Sequence, residues 1–249
     1  MHFYDIILSA YYRKKQFEIE YSILNWICRQ ERNEELMQNI LGIIVSFIYI
    51  AIIIVSAKFF KKIGEEASRK FIHIMLANWW FIAMYFFTNA FWACIVPICF
   101  VVINYISYKK NLISVMERER QDGLGTVYYA LSLFLMSIYT FGIIKRPEIG
   151  LCASLIMGYG DGLASIVGQS IESYEYKIGN TKKTIVGSLT MFVISLILLG
   201  VFLYSAGSAL WVLKSIIIAA ILTIVEAVSI KGTDNLTVPV IATILLSII

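Results

Sequence analysis

Apolar residues fall in long blocks along this chain, and most charged residues lie between the blocks. A helix needs roughly 20 apolar residues to cross about 30 Å of hydrocarbon. Seven blocks meet this requirement, at 40–57, 71–87, 90–107, 126–144, 149–168, 185–205 and 210–229. An eighth, 236–249, is shorter and either stops partway through the bilayer or begins inside the preceding loop. The pattern predicts an all-α, polytopic membrane helix bundle with about seven to eight transmembrane segments.

Residues 1–39 have a mixed character. A short apolar run at 3–12 is followed by three basic residues at 13–15 and then by apolar residues scattered among polar ones. The run lacks a preceding basic residue and is too short to span, which argues against a standard signal peptide and favours helices lying at the interface. We therefore divide the chain into an interfacial amino-terminal region, 1–39, and a polytopic membrane domain, 40–249.

Composition agrees with this division, because 59% of the residues are hydrophobic and only 15% are charged. The placement of charge is more informative than the formal net charge of +4. Thirteen Lys and Arg residues fall on one side of the predicted spans, at 58–70, 109–120, 177–183 and 231, and eight fall on the other, five of them within 1–39. Because cytoplasmic loops are enriched in Lys and Arg, the first side is predicted to be cytoplasmic.

One stretch sets an acid among glycines inside an apolar block. Asp161 lies between Gly160 and Gly162, and a Lys-Lys-Thr run follows at 182–184. A carboxylate near the bilayer centre costs roughly 2.5–3.5 kcal/mol on insertion scales, so such residues usually face a polar cavity. The glycines would let the backbone open, and freed amides at a broken helix start can hold an anion. The structural alternative is that Asp161 only caps a broken helix.

Further polar clusters fall on the same side, although they are far apart in sequence. Arg69 and Lys70 precede His73 by about one helical turn, where the alternative is a positively charged anchor with an incidental histidine. Glu226 lies about one turn from the cytoplasmic end of its span. Asp234 follows in the next loop, where it could instead cap the helix after it. A charged segment running from position 104 to 123 fits a solvated, salt-bridged loop.

The sequence does not contain the motifs that other common catalytic mechanisms require. The sequence holds no GxSxG elbow, Walker motif, kinase-type glycine loop or HExxH pair, and it has only two histidines. Its four cysteines show no CxxC or Cys/His ligand spacing, so we interpret them as small apolar residues. Acids and lysines remain, which suits a metal-bound phosphate, because magnesium prefers carboxylate and phosphate oxygens and lysines neutralise phosphoryl charge.

Several motifs, in the same order, resemble the polytopic family of CTP-dependent lipid-alcohol kinases, which includes dolichol kinase, phytol kinase and the CTP-using diacylglycerol kinase. They are Arg69-Lys70-x-x-His73, Gly125-Thr126-Val127-Tyr128-Tyr129, Gly160-Asp161-Gly162-x-Ala164-Ser165-x-x-Gly168, Lys183-Thr184-x-x-Gly187-Ser188, Glu226 and Asp234-Asn235-Leu236-Thr237-Val238-Pro239. The resemblance covers about residues 65–245. The forms of the Gly-Asp-Gly and Asp-Asn-Leu motifs are those of its phytol-kinase-like branch.

This resemblance implies transfer of the CTP γ-phosphate to the hydroxyl of phytol, of a polyprenol or dolichol, or of diacylglycerol. The expected partners are the nucleotide, Mg²⁺, the lipid alcohol and the bilayer, with no nucleic acid. We expect an integral protein of a bacterial plasma membrane whose active site faces the cytoplasm. The choice of CTP over ATP rests on the resemblance alone.

The candidate site residues are assigned by role. Asp161, helped by Glu226 or Asp234, is expected to hold magnesium, while lysines neutralise the nucleotide phosphates. The catalytic candidates are Asp161, Lys183 and Asp234; the nucleotide-binding candidates are Arg69, Lys70, Lys182, Lys183 and Thr184; the metal candidates are Asp161, Glu226 and Asp234; and the further candidates are His73, Asn104, Gly160, Gly162 and Asn235.

Two other functions stay open. The Gly-Asp and Lys-Thr-x-x-Gly motifs are also similar to CDP-diacylglycerol synthase, a cytidylyltransferase acting on a lipid phosphate, although Asp234-Asn235 stands where that enzyme carries an Asp-rich signature. A transporter could use Asp161 and Glu226 as ion relays, but the polar clusters lie on one side and no half of the chain is repeated. An inactive scaffold is a third possibility, against which the intact acids and lysines argue.

Overall fold

The computed structural model describes residues 2–60, 64–110, 124–179, 181–230 and 232–249, with backbone alone for residues 2–28 and 65. Of the charged segment predicted as a loop at 104–123, the part 104–110 is helical, and 111–123 lies outside the described residues, as do the basic residues at 61, 62 and 231. The elements are α1 His2–Phe60, α2 Glu65–Ala77, α3 Trp79–Phe86, α4 Ala90–Lys110, α5 Gly125–Ser137, a π-helix π1 Ile138–Ile143, α6 Pro147–Leu155, a π-helix π2 Ile156–Asp161, α7 Gly162–Ser170, β1 Glu175–Ile178, β2 Thr181–Thr184, α8 Ile185–Ser205, α9 Trp211–Val228 and α10 Asp234–Ser247.

The helical architecture confirms the predicted all-α membrane bundle. Within the described residues, six stretches are long and apolar enough to cross a membrane: Arg29–Phe60, Ala90–Lys110, Gly125–Ile143, Pro147–Ser170, Ile185–Ser205 and Trp211–Val228. The short carboxyl-terminal block is helical over Asp234–Ser247, so it begins inside the preceding loop. Each stretch corresponds to one apolar block of the sequence.

The predicted span 71–87 is the exception, because it is not one helix. The chain turns at Asn78, which separates α2 from α3. The Asn78 side-chain amide donates to the carbonyl oxygens of Ile74 and Met75, at 3.3 and 3.4 Å. Asparagine interrupts helices in this way because its side chain competes for local backbone groups. The apolar composition of the block hid this turn.

The described chain forms two compact units, Met1–Leu41 and Gly42–Ile249. In the first unit the backbone from residue 2 onward is helical as part of α1, and the Asn39 amide donates to the Glu35 carbonyl oxygen at 2.7 Å. An interfacial location of residues 1–39 stays a prediction. All features discussed below belong to the second unit.

Within the second unit, α1 packs antiparallel to α2 and the start of α3. Ser68 Oγ donates to the Ala57 carbonyl and Tyr49 Oη to the Met75 carbonyl, both at 2.7 Å. Further along, the Trp79 indole N–H donates to Ser46 Oγ at 2.9 Å. Hydrogen bonds of this kind satisfy polar groups that lipid cannot solvate. They fix which faces of α2 and α3 pack against α1.

The helix around Asp161 is continuous, so the expected broken helix is wrong. The stretch Pro147–Ser170 changes from α-helix to π-helix over Ile156–Asp161 and back again, and Asp161 makes no side-chain capping bond. The sequence could not reveal this, because a π turn keeps the backbone hydrogen-bonded and leaves the apolar pattern intact. Single π turns within α-helices are frequent at functional sites. The alternative of Asp161 as a helix cap is therefore excluded.

The glycines of this stretch allow close packing of helices instead of binding an anion. A Cβ atom at Gly158 would overlap Ala77 of α2, one at Gly160 would meet Met191 of α8, and one at Gly162 would meet Ile74. Small residues at such crossings let backbones approach where lipid gives no hydrophobic driving force. The glycines thus set the distances from the Asp161 backbone to α2 and α8.

A two-stranded antiparallel hairpin, which the sequence analysis did not predict, joins α7 to α8. Lys177 pairs with Lys182 and Tyr176 with Lys183. The turn contains Gly179 at φ 57°, a left-handed conformation that glycine adopts without strain. The strand alternation directs Lys182 and Lys183 to opposite faces.

The carboxyl-terminal end of the hairpin continues directly into α8. Thr184 caps this helix, because its Oγ1 accepts the Gly187 backbone N–H at 3.1 Å. Elsewhere in the bundle, Cys94, Cys99 and Cys152 are free thiols, of which Cys152 is buried and the other two are half-buried. The side chain of Cys28 lies outside the described part.

We predict that Gly158→Ala lowers the thermal unfolding temperature of the purified protein in detergent. The added methyl group overlaps Ala77, and overpacking of this kind typically costs roughly 1–3 kcal/mol. The matched control is Gly200→Ala in α8, whose added Cβ would lie 3.6 Å from the Trp211 ring in ordinary contact. This control should unfold at or above the wild-type temperature. Equal effects of the two substitutions would contradict the packing role of Gly158.

Candidate functional site

A cavity of about 990 Å³ opens within the bundle and has two chemically different ends. We call one end the charged mouth and the other the apolar arm. The charged mouth is lined by Lys70, His73, Asp161, Lys183, Glu226 and Asp234. The apolar arm is lined by Ile50, Leu76, Trp79, Val96, Phe100 and Leu133. Polar and hydrocarbon groups therefore meet in one continuous space.

Three carboxylates from different elements meet in the charged mouth. Asp161 comes from π2, Glu226 from the last turn of α9 and Asp234 from the first residue of α10. One oxygen of each lies within 4.8 Å of the others; Asp161 and Glu226 are buried and Asp234 is half-buried. Carboxylates brought this close repel one another unless nearby cations or protonation compensate their charge.

Lys70 and His73 approach Asp161 from α2. Lys70 Nζ donates to Asp161 Oδ2 at 2.8 Å, and the exposed fraction of both side chains is 11%. His73 Nε2 lies 3.2 Å from the same carboxylate oxygen and 3.2 Å from the Met157 carbonyl oxygen. Because both neighbours are acceptors, this nitrogen carries a hydrogen. Spacing of one helical turn places both side chains on the same face of α2.

Lys183 enters the charged mouth from the inner face of β2. Its ammonium group donates to the Glu226 carbonyl oxygen and to Glu226 Oε1, and it lies 3.6 Å from Asp234 Oδ2. Burial alone would lower the pKa of Lys183, but the carboxylates of Glu226 and Asp234 outweigh burial and raise this pKa above its ordinary value. Lys183 is thus held as a cation.

The donor set of the charged mouth fits a hard divalent cation. Magnesium takes oxygen ligands at about 2.0–2.1 Å in an octahedron, so two ligand oxygens lie about 3 Å apart when adjacent and about 4.2 Å apart when opposite. The three carboxylate oxygens lie within 4.8 Å of one another, so they would draw closer to bind one ion together. Two lysines beside three carboxylates leave one negative charge, which favours a cation over a further anion.

Other sequence candidates lie around the charged mouth. Arg69 lines the cavity and forms an ion pair with Glu66. Lys182 also lines it, but 63% of its side chain is exposed and its ammonium group lies 3.4 Å from Glu175. Thr184, as described, caps α8. Their predicted contacts to nucleotide stay predictions.

The two asparagine candidates hold the wall of the cavity. The Asn104 amide donates to the Thr126 carbonyl oxygen and the Asn235 amide to the Gly125 carbonyl oxygen, each at 3.0 Å. These bonds connect α4 and α10 to the first turn of α5. The residues of this turn, Gly125 and Thr126, line the cavity. The roles of both residues in binding stay predictions.

Tyr129 and Trp79 are among the cavity residues that were not sequence candidates. Tyr129 Oη donates to the His73 carbonyl oxygen at 3.0 Å, and the two rings meet edge to face with centroids 4.8 Å apart. Its position in the Gly-Thr-Val-Tyr-Tyr motif was a usable signal. The sequence contained no such signal for Trp79, because a tryptophan inside an apolar block normally belongs to the hydrophobic core.

Sequence comparison with known proteins places the chain in a family. The chain is 30% identical over 198 residues to the phytol kinase of Synechocystis sp., covering 77% of this chain and 84% of that protein. The chain belongs to the phytol kinase family. It is also 28% identical over 205 residues to phytol kinase 1, chloroplastic, of Arabidopsis thaliana, with 74% of this chain and 66% of that protein covered.

A similar likeness extends to the probable phytol kinase 1, chloroplastic, of Oryza sativa subsp. japonica, which is 28% identical over 201 residues, 72% of this chain and 63% of that protein. No family model and no solved structure matches the chain. The phytol kinase family was the branch that the Gly-Asp-Gly and Asp-Asn-Leu motifs predicted. Family membership therefore confirms the resemblance.

We predict that amine acylation at mildly alkaline pH distinguishes the two neighbouring lysines of β2. Lys182 is 63% exposed, whereas Lys183 is 10% exposed and its pKa is raised, so Lys183 should react at least about tenfold more slowly in peptide mass spectrometry. Glu226→Gln removes the main charge that raises this pKa and should speed acylation of Lys183 alone. Equal labelling of both lysines in the wild-type protein would contradict the arrangement.

Proposed function

We propose that this protein is an integral-membrane kinase that transfers the γ-phosphate of CTP to the hydroxyl of a lipid alcohol. One observation carries the proposal: a single cavity joins a cluster of three carboxylates and two lysines to an apolar arm. A lipid kinase needs this combination, because one substrate arrives from water and the other stays in hydrocarbon. Membership of the phytol kinase family supports the same chemistry.

The three carboxylates would hold Mg²⁺. When bound, this ion would offset the charge that develops on the transferred phosphoryl group. Lys183 and Lys70 lie beside the carboxylates and would donate charge-assisted hydrogen bonds to phosphate oxygens. Both lysines now bind carboxylates, so nucleotide binding exchanges one set of anionic partners for another.

The lipid hydroxyl must lose a proton as the phosphoryl group arrives. The acceptor has to stand at the boundary between the charged mouth and the apolar arm, within hydrogen-bond reach of the hydroxyl. Asp161 is the carboxylate contacted by His73, which lies one turn before the arm residue Leu76 on the same face of α2. We infer that one of the three carboxylates accepts this proton, and that Asp161, oriented by Lys70 and His73, stands at the boundary where the hydroxyl must lie.

The choice of nucleotide, the metal ion and the side of the membrane each have separate support. CTP rests on the motif resemblance, and magnesium on the all-oxygen donor set. A cytoplasmic site in a bacterial plasma membrane rests on the count of Lys and Arg, thirteen against three once residues 1–39 are set aside. Phytol is the substrate in the names of the relatives, and the apolar arm supports a lipid alcohol of this general kind.

The decisive experiment is a transfer assay with protein purified in lipid micelles with magnesium. γ-Labelled CTP, γ-labelled ATP and α-labelled CTP are compared on phytol, a polyprenol and diacylglycerol. We expect γ-label from CTP to enter the lipid and α-label to stay in the nucleotide. Transfer of α-label to a lipid phosphate would instead establish a cytidylyltransferase. Absence of transfer from every nucleotide would overturn the kinase and lead to transport assays.

We predict that Asp161→Asn lowers the rate of phosphate transfer by roughly 100-fold or more, because it removes a charge that acts on the transferred group and keeps the side-chain shape. Binding of Mn²⁺, measured by electron paramagnetic resonance, should weaken in parallel. The control is Glu148→Gln, at the other end of the same helical stretch, where the carboxylate is exposed and pairs with Arg146. Near-wild-type turnover of Asp161→Asn would refute the metal role.

A further inference from the structure

The apolar arm runs inward along several helices from the charged mouth. On α4 the cavity-lining residues extend from Tyr108 to Val96, and on α5 from Gly125 to Leu133. On α2 and α3 they extend from Arg69 to Trp79. Polar lining residues thus stand at one end of each helix and apolar ones at the other.

The apolar arm ends at the level of Trp79. About one turn further along their helices, Ala83 of α3, Ala93 of α4 and Met136 of α5 are at most 1% exposed, and none of these three described residues lines the cavity. Behind the indole ring stands buried Ser46, which accepts the indole N–H at 2.9 Å. This hydrogen bond and the packing against the core fix the ring in place.

The depth of the cavity is close to the thickness of one leaflet. At 1.5 Å per residue, the lining residues of α4 span about 18 Å, from Tyr108 to Val96, and those of α5 span about 12 Å, from Gly125 to Leu133. One leaflet contributes about 15 Å of hydrocarbon, half of the 30 Å core. A chain much longer than this would have to fold back or leave the cavity between helices.

The volume of the cavity restricts its contents further. A pocket for one drug-sized ligand occupies about 300–1,000 Å³. Here about 990 Å³ must hold both a nucleotide and a lipid. Ala130, which lines the cavity between Thr126 and Leu133, is one of the small residues that leave room for a hydrocarbon chain. The space suits one chain and not two.

We propose that Trp79 is a specificity-determining residue that ends the apolar arm and selects single-chain lipid alcohols about one leaflet long. This inference rests on the proposed lipid-alcohol kinase function. It predicts that phytol and prenyl alcohols of similar length are better substrates than long polyprenols or diacylglycerol. Selection follows because burial of each additional chain carbon stabilises the complex only until the chain meets the indole ring.

The test compares kcat/KM for farnesol, geranylgeraniol, phytol and a long polyprenol in the wild-type protein and three variants. Ratios between alcohols are taken on one preparation, so partial loss of folded protein does not affect them. Trp79→Leu deepens the arm and should reduce the preference for phytol over the polyprenol by about tenfold. Ala130→Leu narrows the arm and should move the preference toward farnesol.

The matched control is Trp80→Leu. Trp80 is as buried as Trp79, but its indole N–H donates to the Pro147 carbonyl and it does not appear among the described cavity-lining residues. This variant should lose stability while keeping the wild-type order of alcohols. Identical length profiles for Trp79→Leu and Trp80→Leu, or equal use of phytol and the polyprenol by the wild-type protein, would overturn the proposal.

A binding series separates this proposal from the kinase function. Each alcohol raises the unfolding temperature according to its affinity, and no phosphate transfer is needed. The length dependence of this shift should change in Trp79→Leu and not in Trp80→Leu. Lack of phosphorylation of every alcohol would refute the kinase, whereas an unchanged binding profile in Trp79→Leu would refute the role of Trp79.

Discussion

The structure of the site depends on compensation of buried negative charge inside a membrane bundle. Asp161 and Glu226 lie within largely apolar stretches long enough to cross a membrane, where unpaired charge is strongly destabilising. Each carboxylate is paired with a lysine from another element, Lys70 of α2 and Lys183 of β2. These pairs connect segments far apart in sequence. Removal of one partner would leave a buried charge, so the pairs specify the arrangement as well as stabilise it.

Irregularities of the backbone position the carboxylates and lysines of the charged mouth. The π turn at Ile156–Asp161 changes the helical phase before Asp161, and glycines on either side allow α2 and α8 to approach. The hairpin between α7 and α8 directs alternate lysines to opposite faces, so Lys183 points inward and Lys182 outward. Regular helices joined by plain loops would not bring this set together. Local departures from regular structure therefore build the charged mouth.

The same helices that end in charge continue into hydrocarbon, which gives the cavity its two ends. On α2, Lys70 and His73 belong to the charged mouth, whereas Leu76 and then Trp79 belong to the apolar arm. The turn at Asn78 lets Trp79 begin a new helix with its indole ring fixed by Ser46. In the proposed reaction, a water-soluble phosphate donor and a membrane-bound alcohol would approach one point from opposite directions, and each would stay in its own phase.

The sequence alone determined the helical class, nearly all the spans and the set of acids and lysines, because hydrophobic length and intramembrane charge are local properties. It indicated Asp161, Lys183, Glu226 and Asp234 as a group through their motifs, although it gave no distances. Tertiary structure decided what depends on neighbours: the π turn, the break at Asn78 and the hairpin. It also decided that the glycines pack against helices and that Lys182 faces outward. Such features are set by contacts between segments distant in the chain, which the pattern of one segment does not contain.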